Sequence, residues 1–201
     1  MSVALSDRAA ELASAARLPA LWWSRPVTDV TDEWEQTWSD GRAAAAALAL
    51  GPHVAELEEA FRAAGRDALL DEYERLFVGP GRVPCQPYEA LWRHDQPRRE
   101  QGMLMGKASE EVLAVYRQLD LGVSADAHEL PDHIAIEWEA LSYAFEVGSA
   151  EAAARLLEDH LAVWTPSFCA AVARETEQPF YRSLAALTPP WVSGLIEASS
   201  A

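Results

Sequence analysis

Residues 131–148 read PDHIAIEWEALSYAFEVG and contain the clearest helical pattern in the chain. Large apolar residues recur there at the i, i+4, i+7 and i+11 positions of one helical face: Ile134, Trp138, Leu141 and Phe145. Pro131 stands where the helix would open, a position that tolerates proline because its missing N–H has no intrahelical partner there. Gly148 ends the pattern. The stretch therefore predicts an amphipathic helix packed against a hydrophobic core.

The same helical period extends over most of the chain. Apolar spacing, with breaks at Pro and Gly, predicts further helices over residues 7–22, 42–50, 53–64, 67–77, 109–122, 150–164, 166–175, 179–187 and 191–198. We find neither the two-residue alternation typical of strands nor an internal repeat. We predict an all-α fold, a single-domain bundle of roughly ten helices over residues 1–201.

A loop rich in Pro and Gly interrupts this helical chain. Residues 76–92, LFVGPGRVPCQPYEALW, hold two Gly and three Pro within nine positions, which excludes a continuous helix. Tyr88, Glu89 and Trp92 follow directly. We expect residues 78–106 to form a stiff loop after the central helix that presents these side chains to solvent.

The composition is strongly acidic. Thirty-two Asp and Glu against 16 Lys and Arg give a net charge of −16. This argues against a nucleic-acid partner, which needs clustered Lys and Arg, and favours basic partners. The sequence has no run apolar enough to span a bilayer and no secretory signal, so we expect a cytoplasmic protein. Cys85 and Cys169 lack metal-site spacing and are predicted to be free thiols.

Residues 128–133, HELPDH, have only a superficial likeness to the HExxH zinc-protease motif. The two histidines are five positions apart rather than four, and Pro131 prevents the continuous helix that the motif requires. A phosphate-binding loop and a nucleophile elbow are also missing. Arg98-Arg99 lies mid-chain without a following apolar segment, so it is not an export signal. The sequence therefore offers no convincing catalytic constellation, and we predict no metal or cofactor.

The start of the helix at 131–148 carries an acid and a histidine side by side. Asp132 fits the first turn, where the helix dipole favours negative charge, and His133 then packs or faces water. That is the simplest interpretation of the pair.

Several segments taken together resemble the TorD/DmsD/NarJ family of redox-enzyme maturation chaperones, most closely its TorD and DmsD branches. The matching segments are YERLFVGP (73–80), Pro84, PYE (87–89), Tyr116, LG (121–122), PDHI (131–134) with Glu137, HL (160–161), Trp164, Phe168, FY (180–181) and LA (184–185). Cys85-Gln86 and Ala90 depart from the family pattern within the loop, which leaves the identity of the client open.

The resemblance implies an all-α, non-catalytic chaperone. Such a protein binds the precursor of a molybdopterin-dependent oxidoreductase subunit of the dimethyl sulfoxide reductase type, often through its twin-arginine signal peptide, assists cofactor insertion and prevents premature export. It also implies that the loop and the PDH helix start face a peptide-binding groove. The expected precursor-binding residues are Gly79, Pro80, Pro87, Tyr88, Glu89, Trp92, Glu129, Pro131, Asp132, His133 and Glu137.

Three alternatives remain open from the sequence. The chain resembles NarJ-like assembly factors, whose client is not exported. It fits, in a different class, a small acid–base enzyme that uses His133 with Asp132 or Glu137. The resemblance also leaves the oligomeric state open between a monomer and a homodimer.

Overall fold

The computed structural model describes residues 2–26, 31–96, 101–122 and 129–200, with side chains described from residue 7 in the first helix and from residue 36 in the second. Helices α1 to α4 span Ser2–Trp22, Thr31–Ala47, Gly51–Ala64 and Arg66–Tyr73, and α4 continues into a π-helical turn, Glu74–Val78. The loop carries a short 3₁₀ turn, Glu89–Leu91. Helices α5 to α9 span Lys107–Gln118, Ile134–Glu146, Ala150–Arg155, Ala162–Glu175 and Pro179–Ser200.

The prediction of an all-α fold is confirmed. The described residues contain no strand, only an isolated bridge between Tyr88 and His133. A π-helical turn, Leu156–Leu161, joins α7 directly to α8. Counted as one helix, these two leave eight helices in the described ranges, somewhat fewer than the ten expected.

Prolines account for much of the difference in helix count. We expected breaks near Pro166 and at Pro189-Pro190, yet Pro166 lies inside α8 and the proline pair lies inside α9. Leu187 and Trp191 on either side of the pair are buried in the same core. Their burial offsets the backbone hydrogen bonds that the two prolines cannot donate.

Several helix starts also differ from the prediction, most of all that of α2, which begins at Thr31 and not near residue 42. Helix α5 begins at Lys107, so Ser109 is a buried residue within it and not its N-cap. Helix α6 begins at Ile134, three residues after Pro131. His133 is its N-cap in extended conformation, and the His133 side chain accepts a hydrogen bond from Ala135 N. A His acceptor thus satisfies an N–H that the helix leaves unpaired.

The largest buried side chains of the core are tryptophans. Helix α1 lies along α6, while α3 and α8 both pack against α9. Six indoles are almost completely buried between these helices: Trp22, Trp23, Trp38, Trp138, Trp164 and Trp191. Most of the tryptophans are therefore core residues and unavailable to a partner.

Both cysteines are free, as predicted, and both are buried. Burial raises the pKa of the Cys85 thiol to about 11 and also raises the pKa of Cys169. Within the described ranges, none of the helices combines the length and apolar character needed to cross a bilayer. No cluster of His, Cys, Asp and Glu in those ranges has the arrangement of a metal site.

Candidate functional site

The loop and the start of α6 are joined by backbone hydrogen bonds. Ile134 N donates to Pro87 O and Glu89 N donates to Asp132 O, each at a distance of 2.9 Å. The Asp132 side chain adds a third bond, because its Oδ2 accepts from Ala90 N at 3.1 Å. The two regions singled out in the sequence therefore form one structural unit.

Trp92 closes the loop on itself. Its indole Nε1 donates to Gln86 O at a distance of 2.8 Å. Its ring centroid lies 5.7 Å from that of Phe168 on α8. Trp92 is partly buried against the core as a result, and part of its surface stays open to solvent. Upstream, Cys85 N donates to Leu76 O at 3.0 Å, which ties the loop to the end of the α4 extension.

Beneath the loop Glu89, Arg93 and His160 form a buried polar cluster, and Asp95 joins it from the exposed side. Arg93 Nη1 lies 2.5 Å from Glu89 Oε1, and the same guanidinium makes two bonds of 2.6 Å to Asp95. His160 Nδ1 lies 2.8 Å from Glu89 Oε2. Burial opposes the charge on Arg93, but its hydrogen bonds to Asp95 and Glu89 outweigh that effect and raise its pKa. The cluster holds the loop to the π-helical turn that carries His160.

Two further carboxyl groups are buried beside this cluster. Burial raises the pKa of Asp132, although Ala90 N and the nearby Ser109 hydroxyl favour its charged form. Burial raises the pKa of Glu137 well above its usual value, helped by the negative charge of Glu89 and opposed by the hydrogen bond from Trp164 Nε1 at 3.1 Å. Burial therefore favours the protonated form of both Asp132 and Glu137.

His133 is also buried and is neutral near pH 7. Burial lowers its pKa to about 4. Because its Nδ1 accepts from Ala135 N, the ring proton is placed on Nε2, for which the described residues offer no acceptor. The Tyr88 ring meets the His133 ring edge-on with centroids 5.5 Å apart, so His133 is held by packing as well as by the cap.

The expected site residues divide into an inner and an outer set. The inner set is buried and consists of Pro87, Glu89, Asp132, His133 and Glu137. The outer set is partly or fully exposed and consists of Gly79, Pro80, Tyr88, Trp92, Glu129 and Pro131. Asp132 and His133 thus lie behind the surface, where the sequence resemblance had them facing a groove.

Tyr88 and Glu129 connect the loop to the segment before α6 on the outside. The Tyr88 hydroxyl donates to Glu129 Oε2 at a distance of 2.5 Å. Burial and this bond raise the pKa of Tyr88, so the hydroxyl keeps its proton. Glu129 itself is exposed and presents a carboxylate to solvent beside the Tyr88 ring.

Parts of the expected site lie outside the described residues. They are residues 97–100 of the loop, with Arg98 and Arg99. His128 of the HELPDH stretch, which was not an expected site residue, also lies outside them.

Sequence reasoning missed Arg93, Asp95 and the role of His160. The Glu89–Arg93 spacing of four residues was a usable signal, since such pairs meet on a helical turn. His160 appeared only as part of a family match. An exposed apolar turn, Met103, Leu104 and Met105, was also missed; its side chains are 53%, 43% and 72% exposed.

Comparisons with known proteins agree with this fold. The family model "Nitrate reductase delta subunit" matches residues 43–170. The chain is 31% identical over 159 residues to the chaperone protein TorD of Shewanella loihica, covering 76% of this chain and 74% of the relative. It is 23% identical over 159 residues to the Tat proofreading chaperone DmsD of Salmonella typhi, covering 79% and 71% respectively.

A solved structure has the same fold. A protein from Archaeoglobus fulgidus, described as a redox enzyme maturation protein, superposes with a TM-score of 0.58 at 24% identity, covering 90% of this chain and 93% of that one. The chain belongs to the TorD/DmsD-like family of redox-enzyme maturation chaperones, within the wider nitrate reductase delta group.

Proposed function

We propose that this chain is a cytoplasmic, system-specific chaperone for the precursor of a molybdopterin-dependent oxidoreductase subunit, without catalytic activity of its own. It binds the precursor through a twin-arginine signal peptide, assists cofactor insertion and holds the precursor back from premature export. Family membership supports the class of activity. The observation that carries the peptide site is the exposed Tyr88–Glu129 pair, fixed where the loop joins α6.

The outer set supplies the chemistry that such a leader needs. A carboxylate offers about four acceptor positions, so Glu129 can take a leader guanidinium while keeping the Tyr88 bond. The exposed parts of Tyr88, Trp92 and Pro131 offer apolar contact for the segment that follows the Arg pair. Gly79 and Pro80 lie at the start of the same stiff loop, which loses little conformational freedom on binding.

The inner set acts through the outer set. Asp132 holds Ala90 N, and His133 supports the Tyr88 ring. Glu89 anchors the loop through Arg93 and His160. These residues position the surface without touching the peptide.

The test is calorimetric titration with a synthetic twin-arginine leader and with the same peptide carrying Lys-Lys in place of Arg-Arg. We expect the wild-type protein to bind the Arg peptide more tightly, and Glu129→Gln to weaken that binding. Glu110→Gln, an exposed acid on α5, is the matched control. Equal affinity of wild type and Glu129→Gln for the Arg peptide would remove Glu129 from the site.

A NarJ-like assembly factor is the second candidate function. The match to the nitrate reductase delta subunit model over residues 43–170 favours it. In that case no leader peptide binds, and the chain instead co-purifies with a molybdenum subunit that lacks a leader.

A further inference from the structure

A second surface lies away from the loop, between α1, the end of α2 and the last turns of α9. It is a cavity of about 840 Å³ whose lining includes no residue of the outer or inner set. Its floor is apolar and is formed mostly by small residues, among them Ala44, Ala47 and Gly194, together with Leu48. Ala47 is exposed and Ala44 is half-buried, so the cavity opens to solvent as a groove. We name this surface the α1/α2/α9 groove.

The floor suits a helix better than an extended chain. Small side chains let a docked helix approach its neighbours at about 8–10 Å between axes. The walls are three helices, and an extended peptide would find no sheet edge there with which to exchange backbone hydrogen bonds. Gly194 lets α9 lie close to Leu48 at the end of α2, since a Cβ there would lie 3.3 Å from Leu48 Cδ2.

The charge at the rim of the groove indicates the sign of the charge on its partner. Three acids line the groove, Glu11, Asp40 and Glu197, against the single base Arg8. The Arg8 guanidinium is turned to the end of α9, where it donates to Ala198 O. Neither Glu11 nor Glu197 has an ion pair among the described residues, and Asp40 accepts only from Gln36 Nε2 at 2.8 Å. The rim is therefore electronegative and its carboxylates are available.

We propose that the α1/α2/α9 groove docks an amphipathic helix of a partner protein, with aliphatic side chains on one face and Lys or Arg flanking that face. The aliphatic side chains fill the space above the Ala floor, and the cations meet Glu11, Asp40 and Glu197. This site is independent of the loop surface proposed for the leader. A second copy of this chain is disfavoured because each copy brings the same acidic rim and a net charge of −16.

The test uses a defined probe: a helical peptide of about four turns built from Leu, Ala and Lys, with Leu at i, i+3, i+4 and i+7 and Lys beside that face. Its partner probe carries Glu in place of every Lys. Fluorescence anisotropy should detect binding of the Lys peptide and no binding of the Glu peptide. Binding of both peptides with equal affinity would overturn the proposal.

Matched variants locate the binding. Ala47→Trp fills the groove and should lower affinity about tenfold or more, while Ala46→Trp, exposed on the same helix outside the lining, should keep it. Should Ala47→Trp fail to fold, Glu11→Lys with Glu197→Lys gives the same information from exposed positions and should abolish binding. Unchanged affinity in these variants overturns the proposal.

Two further measurements distinguish a helix bound in the groove from a peptide bound at the loop and from self-association. Glu129→Gln should leave binding of the Lys peptide unchanged; if it weakens binding, the peptide sits at the loop and the proposal fails. In sedimentation equilibrium we expect either a monomer or a dimer that Ala47→Trp does not dissociate. A dimer that Ala47→Trp dissociates would assign the groove to a second copy and overturn the partner helix.

Discussion

Glu89 and Arg93 form an ion pair inside the protein, with Arg93 Nη1 2.5 Å from Glu89 Oε1 and side-chain exposures of only 0% and 9%. Glu89 opens the 3₁₀ turn of the loop, directly after Tyr88 in the chain. Arg93 also reaches Asp159 O at 2.9 Å, so a single guanidinium ties the loop to the turn between α7 and α8. The position of the proposed leader surface depends on this buried contact.

Replacing Arg93 with Met should destabilise the protein by about 3–5 kcal/mol, because Glu89 then remains buried without its cation. Urea unfolding followed by circular dichroism measures the loss. Arg155→Met is the control. Its pair with Asp159 is 3.9 Å long and partly exposed, so its loss should lower stability by about 0.5 kcal/mol or less. Equal losses in the two variants would contradict a structural role for the buried pair.

His133 should make stability fall as the pH drops from about 6.5 to about 4. Its pKa in the folded protein is lowered from 6.5 to about 4, so over that interval only the unfolded chain takes up the proton. The loss is at most about 3 kcal/mol.

His133→Asn tests this directly, because Asn keeps an acceptor for Ala135 N and does not titrate. The variant should show a flatter decline in unfolding free energy over the same interval. His53→Asn, at an exposed position of α3, should follow the wild-type curve. Parallel curves for wild type and His133→Asn would contradict the prediction.

Glu137 should make stability fall as the pH rises, the opposite of the effect of His133. Its pKa in the folded protein is raised, so the folded state keeps a proton that the unfolded chain releases above about pH 4.5. Its contribution to stability is complete below that pH and is lost as the pH rises through the folded pKa.

Glu137→Gln should therefore gain stability relative to wild type as the pH increases, while its carbonyl still accepts from Trp164 Nε1. Thermal melts at a series of pH values measure the difference between the two proteins. Glu146→Gln, exposed at the end of the same helix, serves as the control. A constant difference across the series would rule out a protonated Glu137.

Reversing the charge at Glu129 should weaken leader binding by about 1 kcal/mol or more and reduce its dependence on salt, because the carboxylate is exposed and its attraction to a guanidinium is screened by ions. Glu129→Lys is compared with Glu110→Lys by calorimetry at two salt concentrations. If both variants respond equally, the general negative field of the protein, and not Glu129, recruits the leader.

The sequence predicted the helical class because apolar periodicity is a local property of the chain. The Ile134–Phe145 face appears in the structure as expected. The loop with its Pro and Gly residues is also present, but Glu89, which we expected it to present to solvent, is completely buried. Helix joins were harder to predict. The Pro189-Pro190 pair reads as a stop by its backbone chemistry, and only tertiary packing of Leu187 and Trp191 keeps α9 continuous.

The depth of the site residues was not predictable in the same way. Asp132 and Glu129 are both acids three residues apart, yet one is buried and the other exposed. Their difference arises from the loop that folds over Asp132, a contact between residues 42 positions apart. For this reason we expect Asp132→Ala and His133→Ala to lower the stability of the fold, and not only to weaken precursor binding.

Cys85 and Cys169 have a practical value that follows from their burial. The thiolate is the form that reacts with maleimides, and burial disfavours it at both positions. A single cysteine introduced on the surface would therefore take up a dye selectively, with both native residues left in place. Dyes attached in turn beside the loop and beside the α1/α2/α9 groove would report by energy transfer whether one client molecule occupies both surfaces.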